Sequence, residues 1–234
     1  MKPPLHDGPP VRVAILIFDG VEVLDFAGPF EVFGVTRTAP GGQAFEVSVV
    51  SLDGAAVEAR NGLRISPHAS THELVTDVLV VPGGYGTRAL LSNPRIMEVL
   101  RGADGRANIV LSVCTGALLL SAAGLLRGLS ATTHRDAVEE LSAVDPSVSI
   151  YPRARIVDNG RILTSAGISA GIDAALYLVS RLSGMPVAAE TARYMQYDWH
   201  YRSVDGEHIV RPGDADLAPV PPARALAPSS PGPS

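Results

Sequence analysis

The sequence predicts an α/β fold: a mostly parallel sheet sandwiched by helices, with a nucleophile elbow at the end of one strand. Three observations predict it. Short apolar runs alternate with helical patterns along residues 11–205, the order that builds parallel sheets with helices on both faces. Several of those runs are apolar throughout, as strands covered on both sides are. Finally, "SVCTG" puts the single cysteine where a strand-like run gives way to a helix-like one.

The elements follow in order. "RVAILIF" (12–18) reads as a buried strand and "GPFEVFGVTRT" (28–38) as a helix. "FEVSVVSL" (45–52) is a second strand, followed by a short polar hairpin around Asp53-Gly54 and Asn61-Gly62. "DVLVVPGG" (77–84) is another buried strand, ending in a glycine turn. "NPRIMEVLRGAD" (93–104) is a helix, since Asn93 can cap free N–H groups and Pro94 suits the first helical position. "IVLSV" is β-branched, and the helix of residues 115–126 begins directly behind Cys114. "DAVEELSAV" is helical, and "ARIVDNGRILTSA" is a hairpin with Asn159-Gly160 at its tip. "GISAGIDAALYLVSRLSG" is a helix closed by Gly184, and "PVAAETARYMQYDW" is a last helix that Pro186 can start. Residues 1–10 are expected to be a flexible segment, 11–205 one domain, and 206–234 a disordered Pro/Ala/Ser-rich tail.

Composition excludes several classes. With 234 residues, 46% of them hydrophobic, the chain can bury one sizeable core. A formal net charge of −5 and the absence of any Lys/Arg run leave no electrostatic footprint for nucleic acid or an anionic membrane. One cysteine excludes an intrachain disulfide framework, so no oxidising compartment is required. Asp19 interrupts "VRVAILIFDG" before it reaches signal-peptide form, and a cytoplasmic location is expected. The uncharged stretch Ile109–Leu126 approaches the roughly 20 residues a membrane helix needs. Its β-branched first part and helix-forming second part instead fit a strand and a helix that are both buried.

In parallel sheets chemistry gathers outside the carboxyl ends of the strands, and Cys114 stands at such an end. Gly116 lets the backbone turn sharply there. The N–H groups of a helix start stabilise an anion, so they are expected to lower the thiol pKa. The alternative reading makes Cys114 a small buried hydrophobe, the usual role of a free cysteine.

"SVCTGALLLSAAGLLRGLSATTH" resembles the nucleophile region of the ThiJ/PfpI superfamily, whose domain is related to class I glutamine amidotransferases and is flavodoxin-like. "LDFAGPFEVF", "VPGGYG" and "LTSAGISAGIDAALYLV" are similar to three further blocks, in the expected order from residue 11 to about 200. The combination is most similar to the isonitrile (isocyanide) hydratases, and also resembles the amidotransferase-like domain of certain AraC-type regulators. Those regulators continue into a DNA-binding domain where this sequence has a Pro-rich tail, so no nucleic-acid partner is expected.

The resemblance implies catalysis by Cys114 with Asp25 of "LDFAGP" as general acid and base and with Thr115 taking part. Read without it, Asp25 is a helix cap ahead of Gly28-Pro29. Ala27 stands where isonitrile hydratases carry threonine. His134 in "ATTHRD", 20 positions after Cys114, is expected to be structural or peripheral, and the histidine of amidotransferases has no counterpart near "GISAGID". Gly83 and Gly84 fit an oxyanion wall, with the Gly84 or Tyr85 N–H as donor, and Ile168 is expected to line the pocket. Asp173 is expected to be held by backbone or arginine contacts.

No metal and no organic cofactor is expected. His68 and His72, four apart, lack a third ligand at an obvious spacing, and "GGYG" is followed by no phosphate-binding pattern. Tyr194, Tyr197 and Trp199 are expected to pack the last helix or an oligomer surface. The functional expectation is hydration of a small isonitrile to a formamide, by a homodimer as the resemblance implies. The alternatives are a non-enzymatic ligand or oxidant sensor using Cys114, and glyoxalase- or deglycase-like carbonyl chemistry, which in this superfamily usually pairs the cysteine with glutamate.

Overall fold

A computed structural model of the protein describes residues 9–38, 42–200 and 209–211. Its centre is an eight-stranded sheet. In chain order the strands are β1 (Val11–Leu16), β2 (Phe45–Ser51), β3 (Ala69–Ser70), β4 (Val78–Val81), β5 (Ile109–Val113), β6 (Ile156–Asp158), β7 (Ile162–Ser165) and β8 (Ile209–Val210). Their spatial order is β8-β6-β7-β5-β4-β1-β2-β3. Every pairing is parallel except β6 with β7, the hairpin whose tip the Asn-Gly pair marks.

All five residues of β5 and all four of β4 are buried. Successive strand side chains point to opposite faces, so this burial requires cover on both. The cover comes from α1 (Val23–Val35), α2 (Thr87–Leu90), α3 (Pro94–Arg106), α4 (Gly116–Ala122), α5 (Val138–Val144), α6 (Ala170–Ser183) and α7 (Met185–Tyr194). Helices α1, α6 and α7 pack together, while α4 packs with α2, α3 and α5. Phe33 of α1 meets Phe45 of β2 with ring centroids 5.0 Å apart, both side chains fully buried. Each such side chain contributes about 1.5–3 kcal/mol by leaving water.

Three boundaries differ from expectation. Helix α1 begins at Val23 rather than at Gly28, so Pro29 lies inside it. Pro29 carries no N–H to bond the Asp25 carbonyl one turn back, a cost offset by burying Phe26, Pro29, Val32 and Phe33. Glu22 takes the N-cap position and Asp25 lies in the first turn, so the cap reading of Asp25 does not hold. Helix α4 stops at Ala122, before Gly124 at φ 81°, rather than running to residue 126. Finally, Ile209–Val210 lies within the expected tail but forms β8, with Val210 buried. A β-branched pair beside the open edge of β6 suffices for that. Of the expected flexible segment 1–10 and tail 206–234, residues 1–8, 206–208 and 212–234 lie outside the described residues.

A Cβ at Gly116 would fall 2.0 Å from the Val81 carbonyl oxygen, so only glycine lets α4 start against the end of β4. At Gly34 in α1, by contrast, a Cβ meets nothing within 4 Å. Gly116→Ala should therefore lower the Tm by about 10 °C or leave no soluble protein. Gly34→Ala should raise it by about 2–4 °C, since alanine is about 1 kcal/mol the better helix residue. Thermal melts of the two variants check the pair.

Candidate active site

Four segments converge beyond the carboxyl ends of β1, β4, β5 and β7. The sheet order reverses between β1 and β4, the place where open α/β sheets leave a crevice. Cys114 follows β5 at once and has φ 57°, a left-handed conformation that is costly for a side-chain-bearing residue and projects it from a sharp elbow. The elbow is fastened from several sides. Cys114 N–H is shared between the Ser165 and Ala166 carbonyls at 3.2 and 3.1 Å, and Thr133 Oγ1 donates to the Cys114 carbonyl at 2.9 Å.

Asp25 reaches the same place from α1 and is fully buried. Its Oδ2 accepts the Gly83 N–H at 2.9 Å, while the buried Oδ1 accepts no well-formed hydrogen bond. The carboxyl's other polar neighbours are the Cys114 thiol and the Ile168 N–H. Gly83 is necessary for this approach: a Cβ there would lie 2.5 Å from Thr115 N and 2.9 Å from Asp25 Oδ2.

Burial dominates the electrostatics. It pushes the Asp25 carboxyl up to about 7, against the lowering effect of the Gly83, Cys114 and Ile168 contacts, and the nearby Glu22 charge adds to the rise. Burial also pushes the Cys114 thiol up to about 12, with the Asp25 charge as the second cause; the Thr115 and Ile168 N–H groups lower it less than these raise it. The expectation of a thiol lowered by the helix start is therefore corrected. A short helix and two N–H groups do not outweigh desolvation beside a carboxylate. Between about 7 and about 12 the pair holds one proton, on sulfur, with the carboxyl ionised beside it.

Five of the six expected site residues, Cys114, Thr115, Gly84, Tyr85 and Ile168, line one cavity of about 140 Å³, whereas Asp25 is fully buried and does not line it. Two expected roles change. The Gly84 N–H donates to Thr115 Oγ1 at 2.9 Å, so it is not an oxyanion donor, and the Thr115 hydroxyl serves as a latch to the glycine turn. The N–H groups directed at sulfur are those of Thr115 and Ile168. His134 is not peripheral. It lines the cavity, and its ring packs so closely on Gly167 that a Cβ there would lie 2.2 Å from it.

Glu22, Arg60, Arg88, Asp136 and Ala137 complete the wall, and sequence reasoning missed them. Arg60 pairs with Glu22 at 2.6 Å and lies 4.7 Å above the Tyr85 ring, while Arg88 pairs with Glu140. The hairpin carrying Arg60 is pinned to the β1 end by bonds from Glu58 N to Asp19 Oδ1 and from Gly20 N to the Glu58 carbonyl. No local pattern announces such a contact; for His134 alone, its distance from the cysteine was a signal.

The other singled-out residues lie elsewhere. Ala27 packs against the apolar core. His68 accepts the Val49 N–H and stacks on Phe30, while His72 lies beside Arg95. Tyr194 is exposed, whereas Tyr197 and Trp199 pack against the core. Among the described residues no three His, Cys, Asp or Glu side chains gather as metal ligands.

The DJ-1/PfpI family model matches residues 11–181. The chain belongs to the DJ-1/PfpI family. It is 34% identical to the isonitrile hydratase of Pseudomonas putida over 221 residues, 93% of this chain and 90% of that one. It is 27% identical to the HTH-type transcriptional regulator GbdR of Pseudomonas aeruginosa over 81% of this chain, which spans about half (51%) of that regulator. A ThiJ/PfpI family protein from Pseudomonas syringae superposes with a TM-score of 0.72 at 29% identity, covering 88% of this chain and 86% of that one. The DJ-1/PfpI assignment thus accounts for the flavodoxin-like sheet.

The raised Asp25 carboxyl has a consequence for stability. A carboxyl whose folded pKa lies above its unfolded value of 3.8 favours folding when protonated, and that contribution is lost as pH rises toward about 7. Asp25→Asn removes the loss. Its Tm relative to the unsubstituted protein should therefore be higher at pH 8 than at pH 5 by about 4 °C or more, which paired thermal melts would show.

Proposed function

We propose that this protein adds water to a small isonitrile, giving the N-substituted formamide. The buried Asp25–Cys114 pair carries the reading, supported by the similarity to the Pseudomonas putida isonitrile hydratase along nearly the whole chain. The terminal isonitrile carbon accepts a nucleophile and then needs a proton on the same atom. A thiol beside an ionised carboxyl supplies both.

In the first step Asp25 takes the thiol proton as the sulfur–carbon bond forms, and returns it to that carbon, giving a thioimidate on Cys114. Water then attacks this carbon. Asp25 receives a proton from the water and delivers it to the imine nitrogen, leaving a tetrahedral adduct. Collapse forms the formyl C=O and breaks the carbon–sulfur bond, whose electron pair returns to sulfur with the hydroxyl proton. The sum is isonitrile plus water to formamide, and the pair ends with the single proton it began with. Thr115 and Ile168 N–H groups stabilise the sulfur when it carries charge. A cavity of about 140 Å³ suits a compact substituent.

The similarity to GbdR supports a second reading, a ligand-sensing module without turnover. The raised thiol fits oxidant sensing poorly, because the thiolate is the oxidisable form. The homodimer and the cytoplasmic setting that the family resemblance implies belong to this proposal. Among the described residues no helix is long and apolar enough to cross a membrane.

Incubation with cyclohexyl isocyanide should yield N-cyclohexylformamide. Cys114→Ala should abolish turnover and Asp25→Asn should lower it about 100-fold or more. Because the base is the ionised carboxyl, kcat/KM should fall about tenfold per pH unit below about 7. Undiminished turnover in Cys114→Ala would remove the nucleophile. Binding of isonitriles without formamide would favour the sensing reading.

A further inference from the structure

Ile168 is the least comfortable residue of the site. It is β-branched, yet its φ is 55°, an unfavourable conformation that persists only where its surroundings enforce it. Ile168 lines the same cavity as Cys114, and its N–H is a polar neighbour of both the Cys114 thiol and the Asp25 carboxyl. The enforcement comes from outside the cavity. Arg155, in the connection before β6, grips the Ala166–Asp173 segment at three points. Its carbonyl accepts the Ala166 N–H at 2.9 Å, its guanidinium donates to Ser169 Oγ at 3.2 Å, and its Nε forms an ion pair with Asp173 in the first turn of α6. Asp173 is buried, and its second oxygen accepts from Tyr197 at 3.1 Å, so the anchor is itself fixed.

We propose that Arg155 is a positioning residue for the thiol: by clamping Ala166, Ser169 and Asp173 it holds the strained Ile168 backbone so that its N–H faces sulfur. The planar guanidinium reaches Ser169 and Asp173 together, which a lysine ammonium does not reproduce. Without the clamp Ile168 relaxes toward ordinary φ, and its N–H turns away from the thiol and the carboxyl. The charged groups around the sulfur, Asp25, Arg60 and Glu22, are left in place. The inference concerns thiol ionisation and stands whether or not an isonitrile is the substrate.

The single cysteine makes the test direct, since every thiol-alkylation event, read by peptide mass spectrometry, reports on Cys114. Iodoacetamide alkylation at pH 9, below the thiol midpoint, follows the thiolate fraction, so losing one stabilising N–H lowers the rate. Arg155→Gln should alkylate about tenfold more slowly than the unsubstituted protein. Ser169→Ala, which removes one grip and leaves the ion pair, should slow it by a smaller factor. The double variant should be no slower than Arg155→Gln alone, because both act through one loop. A merely structural arginine gives the opposite result, faster alkylation as the elbow loosens. Unchanged or faster alkylation in Ser169→Ala overturns the proposal, even should Arg155→Gln fail to fold.

Discussion

A carboxyl and a thiol share one water-poor crevice, and the rest of the site is arranged around the cost of keeping them there. Neither group bears charge cheaply when buried, and the Asp25 charge raises the cost of charging the thiol further. The result is a pair that holds a single proton above about pH 7. That is the form a reaction needs when it attacks and protonates the same atom.

The geometry follows from that requirement. Two backbones must approach within reach of Asp25 and Cys114, and glycines at 83 and 116 make the approach. The elbow residue adopts an unfavourable φ, and so does Ile168 opposite it. The elbow is held by its hydrogen bonds to the end of β7 and from Thr133 rather than by its own propensity. The cavity rim is different in kind. Its arginines are already paired with Glu22 and Glu140, so the mouth is polar but close to charge-balanced.

Much of the fold was legible because its signals are local. Buried parallel strands announce themselves as uninterrupted apolar runs such as "VLVV", and Asn-Gly and Asn-Pro pairs mark the β6–β7 turn and the start of α3. The start of α1 was misread because Gly28-Pro29 looks like a helix opening, while burial of Phe26 and Phe33 overrode that propensity. Strand β8 escaped notice because two residues in a Pro-rich surrounding carry no period.

At the site, Cys114, Asp25, Thr115 and Ile168 were legible from ordered blocks that resemble a known family. The direction of the thiol shift was not. It depends on how completely the crevice excludes water, a property of packing that no short motif encodes. Arg60 and Arg88 were invisible for a related reason, since a hairpin and a short helix deliver them by tertiary contact.

The shared proton is most directly tested by a ¹³C NMR titration of the Asp25 side-chain carboxyl in the unsubstituted protein. A midpoint near 7 that moves down when the thiol is replaced by a smaller, wetter neighbour in Cys114→Ser is the expected result. A midpoint near 4, unaffected by that substitution, would show an ordinary solvated carboxylate and contradict the account.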